Sequence, residues 1–422
     1  MENCSEIKNM IDYTSWKKRT ILFISGQSIS LFGSSLVQYI IIWYITLSTA
    51  SGSMMTIATI CGFLPQLIIG LFAGVWADRY NRKHIIILAD SFIAISTLVV
   101  ALLFMFGYQE IWLLFIVLGF RSLGGGIQSP SISALIPQLV PTDKLMKVNG
   151  INTSLNSLIL LLSPAIGGII LTFYPLQIAL FIDVITALFG VGILATIKIT
   201  KIRIIDAKVT TYLKDLGNGI RYISKNHLVK LLIIFTAIFY FAVTPAAMLT
   251  PLLVARNYGT EVWRLTINEI SFSAGAIIGG MIIAYWGGFN NRLILVCLGF
   301  IIIGILNLAI GFNISFILFM IFIFAMGIIV PFVGSSITVL LQERIEKDIQ
   351  GRVFGFYNII TVSAFPLGMA LFGPLADIVS IESLLIVTGI LITILGLFMS
   401  INKKFINLGK CVKIEENNML EV

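Results

Sequence analysis

The chain has 422 residues, 58% of them hydrophobic and 11% charged, with a mean hydropathy of +1.01. Ordinary soluble domains carry about 25% charged residues, so a soluble globular enzyme is excluded, and so is a disordered chain. The net charge of +8 would point a soluble protein towards nucleic acid, but its distribution along this chain gives it another meaning.

A membrane-spanning helix needs about 20 mostly apolar residues. Runs of that kind fall at about 20–48, 53–77, 85–106, 111–138, 148–173, 178–197, 229–254, 266–288, 293–312, 315–341, 353–377 and 382–401. They are continuously apolar where barrel strands would alternate, so an all-α membrane protein with twelve transmembrane helices is expected. The first run follows Lys17, Lys18 and Arg19, lacks a small-residue cleavage site and is too long for a signal-peptide core. It reads as a retained helix. The helices divide into a six-helix half over 1–197, a cytoplasmic central loop over 198–228, a second six-helix half over 229–402 and a cytoplasmic tail over 403–422.

Of the 28 lysines and arginines, 25 lie in the tails, the central loop and the other even-numbered loops, while only Arg256 and Arg264 lie in odd-numbered loops. Arg121 is inside the fourth run. The bias follows the positive-inside rule and predicts a multi-pass protein of the bacterial cytoplasmic membrane with both termini in the cytoplasm. The basic charge is therefore topology, the lipid bilayer is the expected surrounding, and no nucleic-acid partner is expected. Cys4, Cys61, Cys297 and Cys411 have neither metal nor redox spacing and read as free thiols. Phosphate-binding loops, paired-histidine zinc motifs and nucleophile elbows are missing from the sequence, so no cofactor, no metal and no enzymatic site are expected.

The two halves repeat. At an offset of 210, Gly70, Asn81 and Arg82 fall on Gly280, Asn291 and Arg292; at 205, Asp143, Val148 and Gly150 fall on Asp348, Val353 and Gly355. Ser163-Pro164 with Gly167 in the fifth run finds Phe365-Pro366 with Gly368 in the eleventh. Three matches in chain order at nearly constant offset indicate a parallel duplication.

Polar residues then mark faces. Gln27, Ser30, Ser34 and Gln38 share one face of the first helix; Asn149, Asn152, Asn156 and Ser163 share one of the fifth; Thr236, Tyr240 and Thr244 share one of the seventh. Such stripes either bond to neighbouring helices or line a water-filled cavity, and the two readings stand level for any one residue. Gln27, Ser34, Gln38, Asn152, Asn156, Tyr240 and Thr244 are the cavity candidates. Three carboxylates, Asp90, Asp183 and Glu269, and one arginine, Arg121, lie inside apolar runs. Buried carboxyls exchange protons near neutral pH. Asp183, deepest in its run, is the first choice for a proton site, with pairing to Arg121 as the competing role; both can hold at once. Asp90 and Glu269 sit nearer helix ends, where a hydrated structural role is an equal reading.

Gly74-Val-Trp-Ala-Asp78-Arg79-Tyr-Asn81-Arg82-Lys83 resembles the loop signature of the major facilitator superfamily. Asn81 stands where that signature has a second glycine, a change that a left-handed turn tolerates. The resemblance implies a gating role for Gly74, Asp78, Arg79, Arg82 and Lys83. Gly150, Pro164, Gly167 and Gly168 resemble the antiporter signature of the superfamily's exporters, with Ile159 and Ser163 departing from it; they too would gate, because proline and glycines let a helix bend and slide. Arg121 with Gly124-Gly125-Gly126 resembles an arginine motif associated with proton coupling. Glu269-Ile-Ser-Phe-Ser-Ala-Gly275, Gln342-Glu343 and Gly351-Arg352-Val353-Phe354 resemble the macrolide-efflux subgroup. The resemblance spans about 16–400 and implies a proton-coupled exporter of small amphiphilic drugs, macrolides first, working by alternating access. Export of a siderophore or lysolipid is the near alternative, and a non-transporting receptor or scaffold the distant one. An ATP-binding partner protein stays open, with no sign of one in the sequence.

Overall fold

A computed structural model describes residues 16–197, 217, 220–289, 291–312 and 315–408. Among these, twelve helices are long and apolar enough to cross a membrane. They are α1 (Trp16–Thr49), α2 (Gly52–Arg79), α3 (Arg82–Met105), α4 (Ile111–Leu139), α5 (Leu145–Phe173) and α6 (Leu176–Thr196); then α7 (His227–Asn257), α8 (Val262–Trp286), α9 (Arg292–Ile310), α10 (Phe316–Arg344), α11 (Lys347–Leu375) and α12 (Ile381–Ile401). The all-α, twelve-helix expectation holds. Helices are the form a chain takes in hydrocarbon because each backbone donor finds its acceptor within the segment. Several run past the apolar stretches: α11 begins at Lys347, six residues ahead of its apolar run. Hydropathy marks where lipid lies, whereas the hydrogen-bond ladder continues into the polar flanks.

Local sequence sets the helix ends. The Ser51 hydroxyl caps α2 by accepting from the Met54 N–H. Asn81 and Asn291, paired by the repeat, do the same work in each half: their side-chain oxygens accept from Lys83 N and Leu293 N, both at 3.1 Å. The expectation of a left-handed turn at Asn81 is thus corrected. Its φ is −67°, and it is present as a helix N-cap, which asparagine supplies and glycine lacks. Near the end of α7 the ladder breaks at Leu249 and restarts at Thr250-Pro251, since proline has no N–H to continue it but fits a first turn.

The chain groups into two compact units. One joins α1–α6 with Met248–Ile270 and Pro366–Val379; the other holds Lys214–Ala247, Ser271–Phe365 and Ser380–Val422. In the first, α1 packs on α5 and α6, and α4 on α2 and α3. Gly124 and Gly126 make the latter contacts possible: a Cβ on Gly124 would collide with Ile93 of α3, and one on Gly126 would lie 2.9 Å from the Gln66 carbonyl oxygen of α2. Two apolar clusters fill this unit. One contains Leu36, Ile40, Phe104, Leu114 and Leu180; the other contains Phe23, Ile24, Ile86, Leu139 and Leu194. In the second unit α9 packs on α10 and α12, with Phe239 of α7 stacked on Phe300 of α9 at 4.1 Å.

Candidate functional site

On α1, α3, α4 and α6, the residues numbered between the two clusters are the polar ones, so a charged layer lies between two apolar ones. Asp183 on α6 is fully buried, and Arg121 on α4 and Asp90 on α3 nearly so. The Arg121 Nη1 donates to Asp183 Oδ2 in a direct ion pair. Three further groups complete the pair. Arg121 Nη1 also donates to the Thr97 hydroxyl at 2.8 Å, Arg121 Nη2 to the Ser34 carbonyl at 2.8 Å, and the Ser34 hydroxyl to Asp183 Oδ1 at 2.8 Å. Thr97 Oγ1 stands 3.0 Å from Asp183 Oδ2 and 2.9 Å from the Ile93 carbonyl, so its one proton has two acceptors. Arg121 Nε has no hydrogen-bond partner among the described residues.

Asp90 belongs to the same layer but is held differently. Gln27 Nε2 donates to its Oδ2 at 3.3 Å, Ser30 to its Oδ1 at 3.1 Å, and Gln128 Nε2 of α4 also donates to Oδ1. All three donors are neutral, and among the described residues Asp90 has no cationic partner. One carboxylate is therefore bound to a fixed positive charge and its neighbour only to dipoles. The polar face of α1 is spent on this network: Gln27 and Ser30 hold Asp90, Ser34 holds Asp183 and Arg121, and Gln38 lies beside Gly62 of α2. Thr97, Ser30 and Gln128 were not singled out as site residues from the sequence, although Thr97 and Asp90 lie on one side of α3, seven residues apart.

The other candidates are more dispersed. Glu269 is half-buried on α8, with no hydrogen bond or ion pair among the described residues. Asn152 is half-buried and Asn156 exposed on α5. In the second unit, Tyr240 packs edge-on against Phe365 at 5.8 Å, and the buried Thr244 hydroxyl donates to the Tyr240 carbonyl of its own helix at 3.0 Å. Of the motif residues, Arg82 Nη1 donates to the Ala134 carbonyl of α4 at 2.6 Å. Lys83 Nζ donates to the Ala195 and Ile197 carbonyls at the end of α6, at 2.7 and 2.8 Å, a cation where a helix leaves acceptors unpaired. The surroundings of Gly74 and the side chains of Asp78 and Arg79 lie outside what the structure describes. On α5, Pro164 is buried. Gly167 meets Ile40 of α1, a Cβ on Gly168 would strike Thr266 of α8, and Gly150 faces open space.

A second polar constellation was not anticipated. Asp377, just beyond α11, accepts from the backbone N–H groups of Gly52 at 2.7 Å and Ser53 at 2.8 Å, and from the Ser51 hydroxyl at 2.9 Å, so it sits on the N-terminus of α2. Arg256 Nη2 pairs with it at 3.0 Å and donates to the Ala50 carbonyl at 2.7 Å, while Nη1 donates to the Ala376 carbonyl at 2.6 Å. Burial alone would raise the Asp377 carboxyl, but hydrogen bonds from Ser53, Gly52 and Ser51 outweigh it and hold the group well below the usual carboxylate range. The Ala50 backbone, with φ of 46°, is in the left-handed region.

Among the described residues, twelve helices long and apolar enough to cross a membrane, with an ion pair buried in the first copy, give a polytopic membrane protein. A family model described as transmembrane secretion effector matches residues 18–419, and the chain belongs to that family of the major facilitator superfamily. It is 30% identical over 386 residues to macrolide efflux protein A of Streptococcus pyogenes, covering 91% of this chain and 95% of the relative. It is 29% identical over 327 residues to the Enterococcus faecalis protein of that name, covering 75% of this chain and all of the relative. A staphyloferrin A transporter of Staphylococcus aureus is 24% identical, covering 94% of this chain and 99% of the relative. Among solved structures, a nucleoside transporter superposes with a TM-score of 0.69 at 14% identity, covering 92% of this chain and all of that one, a likeness of fold.

Proposed function

We propose that the protein exports amphiphilic drugs, macrolides first, across the bacterial cytoplasmic membrane in exchange for protons, by alternating access between its two six-helix halves. The observation that carries proton coupling is the charged layer: Arg121 and Asp183 paired, and Asp90 beside them with neutral partners only. A charge at mid-membrane costs at least about 2.5–3.5 kcal/mol on insertion scales, and three in one unit need a use. Asp90 takes up and releases the proton, and Asp183 exchanges Arg121 for a proton as access changes; Glu269 is a further candidate on α8. The polar faces of α5 and α7, through Asn152, Asn156, Tyr240 and Thr244, meet the drug. Gly74, Asp78, Arg79, Arg82 and Lys83 on one side, and Gly150, Pro164, Gly167 and Gly168 along α5, form the moving contacts. The positive-inside bias supports cytoplasmic termini and an outer-face position for the Asp377 constellation.

The substrate rests on the likeness to the two macrolide efflux proteins. The test is accumulation of labelled erythromycin in susceptible cells with and without the protein, each with and without a protonophore. Lowered accumulation that the protonophore reverses is the expected result; equal accumulation with the protein in the membrane removes macrolides as substrate. The likeness to the staphyloferrin A transporter supports one other cargo, a siderophore of that kind, and competition between the two ligands separates them.

A further inference from the structure

Between α1 and α5 lies a groove of about 700 Å³, within the range of small-molecule sites. Its mouth carries Lys17 from α1 and Lys144 and Lys147 from the start of α5, with Trp16 beside them. Below the mouth the walls are apolar, with Ile21 and Ile24 on one side and Ile151 and Leu155 on the other. Asp143 lies 3.1 Å from Lys144, which leaves a net excess of two positive charges at the mouth. Thr20, one turn below Lys17, is 95% buried, lines the groove, and its hydroxyl has no hydrogen-bond partner among the described residues. Topology asks only for basic residues on the loops of this face. It does not explain why amines from two helices far apart in sequence converge on one apolar slot with an unused hydroxyl beneath them.

The dimensions fit a single leaflet. From Lys17 to Ile29 the helix rises about 18 Å at about 1.5 Å per residue, close to half of a hydrocarbon core about 30 Å thick. Tryptophan and lysine at one end and isoleucine and leucine at the other repeat the order of headgroup and chain. We propose that the groove binds an acidic phospholipid of the leaflet bordering the basic loops. The phosphate meets Lys17, Lys144 and Lys147, a glycerol ester oxygen accepts from Thr20, and one acyl chain lies along Ile24, Ile151 and Leu155. A zwitterionic lipid has the same chain but no net charge for the lysines, so binding is selective for headgroup.

The experiment is native mass spectrometry of the purified full chain with phosphatidylglycerol or phosphatidylcholine added at equal mole ratio. Phosphatidylglycerol is retained preferentially. The triple variant Lys17→Gln/Lys144→Gln/Lys147→Gln loses about a hundredfold of that preference, from three charges at about fivefold each, and Thr20→Val lowers retention without removing the preference. Lys225→Gln/Lys230→Gln, basic residues elsewhere on the same face, leaves it unchanged. Equal retention of the two lipids by the wild type overturns the proposal, as does an equal loss in both lysine variants, which signals diffuse charge. Displacement by millimolar inorganic phosphate marks a bare anion site and overturns it too. Circular dichroism and a monodisperse elution profile identify a variant that has failed to fold, in which case Ile151→Trp, which fills the slot and keeps every charge, decides: undiminished retention refutes the lipid.

Discussion

Arg121 and Asp183 should behave as one unit in stability and separately in function. Arg121→Gln leaves Asp183 fully buried with only Ser34 and Thr97 to hold it. Breaking a buried pair from one side costs about 3–5 kcal/mol because the remaining charge is uncompensated. Asp183→Asn leaves Arg121 in the same position, with the Thr97 hydroxyl and the Ser34 carbonyl as its acceptors. The double variant Arg121→Gln/Asp183→Asn has no charge to strand, and neutral replacement of a buried pair is often neutral in stability. Thermal unfolding in detergent should therefore show each single variant lowered by roughly 6–20 °C, at about 2–4 °C per kcal/mol for a unit of this size, and the double variant within a few degrees of wild type. Protonophore-sensitive drug efflux, measured on the same three proteins, should be lost in all of them. Additive losses of stability, with the double variant falling below either single one, would refute the account of the pair as mutually compensating. Full efflux by the double variant would remove the pair from coupling.

Three further outcomes follow from the geometry. Asp377→Asn should lower the unfolding free energy at neutral pH by about 1–3 kcal/mol, for charge-assisted bonds at a partly exposed helix terminus. Because the folded-state group is held below its unfolded value of about 3.9, its contribution is complete above that value and is lost as pH falls through the folded-state pKa. The difference between variant and wild type should thus shrink below about pH 4 and stay constant from pH 5 to 8; a difference that grows on acidification would contradict the assignment. Gly168→Ala should destabilise by about 1–3 kcal/mol through collision with Thr266, and adding Thr266→Ala should recover most of it, since the hydroxyl oxygen struck first is then gone. Ala50→Gly should raise the unfolding free energy slightly, by about 1 kcal/mol, because the left-handed backbone at that position suits glycine; a fall would show that the Ala50 methyl has a packing role larger than its strain.

Composition alone made the helices legible, because apolar runs of spanning length have few other uses. The Arg121–Asp183 pair was legible as an alternative, since two opposite charges deep in apolar runs have strong reason to meet. The polar face of α1 was visible too, but its destination was not. Periodicity says that Gln27, Ser30 and Ser34 share a side and is silent on which helix lies opposite, and here the opposite residues are Asp90 and Asp183. Asp90 was placed near a helix end by counting along its run, yet α3 packs so that this end is covered by α1 and α4. Asp377 gave the weakest signal of all. A single acid in a short turn reads as solvated, and only the fold brings it to the exposed N–H groups of α2.

The duplication supplies an internal control for the charged layer. At the offsets that align the halves, Thr97, Arg121 and Asp183 correspond to Asn307, Met326 and Thr388. The second copy keeps the contact and drops the charge: Asn307 Nδ2 donates to Thr388 Oγ1 at 3.2 Å, and Met326 is buried where the first copy has arginine. A neutral hydrogen bond between the third and sixth helices of a copy is therefore enough to hold that contact. In the first copy the same contact carries two full charges, a more expensive solution for the same packing. Grafting the neutral set, Thr97→Asn/Arg121→Met/Asp183→Thr, should consequently give a protein that inserts, folds and unfolds near the wild-type midpoint while losing gradient-driven efflux. If the graft instead fails to fold while the Arg121→Gln/Asp183→Asn double variant folds, the volumes of the two copies differ and the comparison fails. If both neutral versions fail, the charges are structural and the proton must be carried elsewhere.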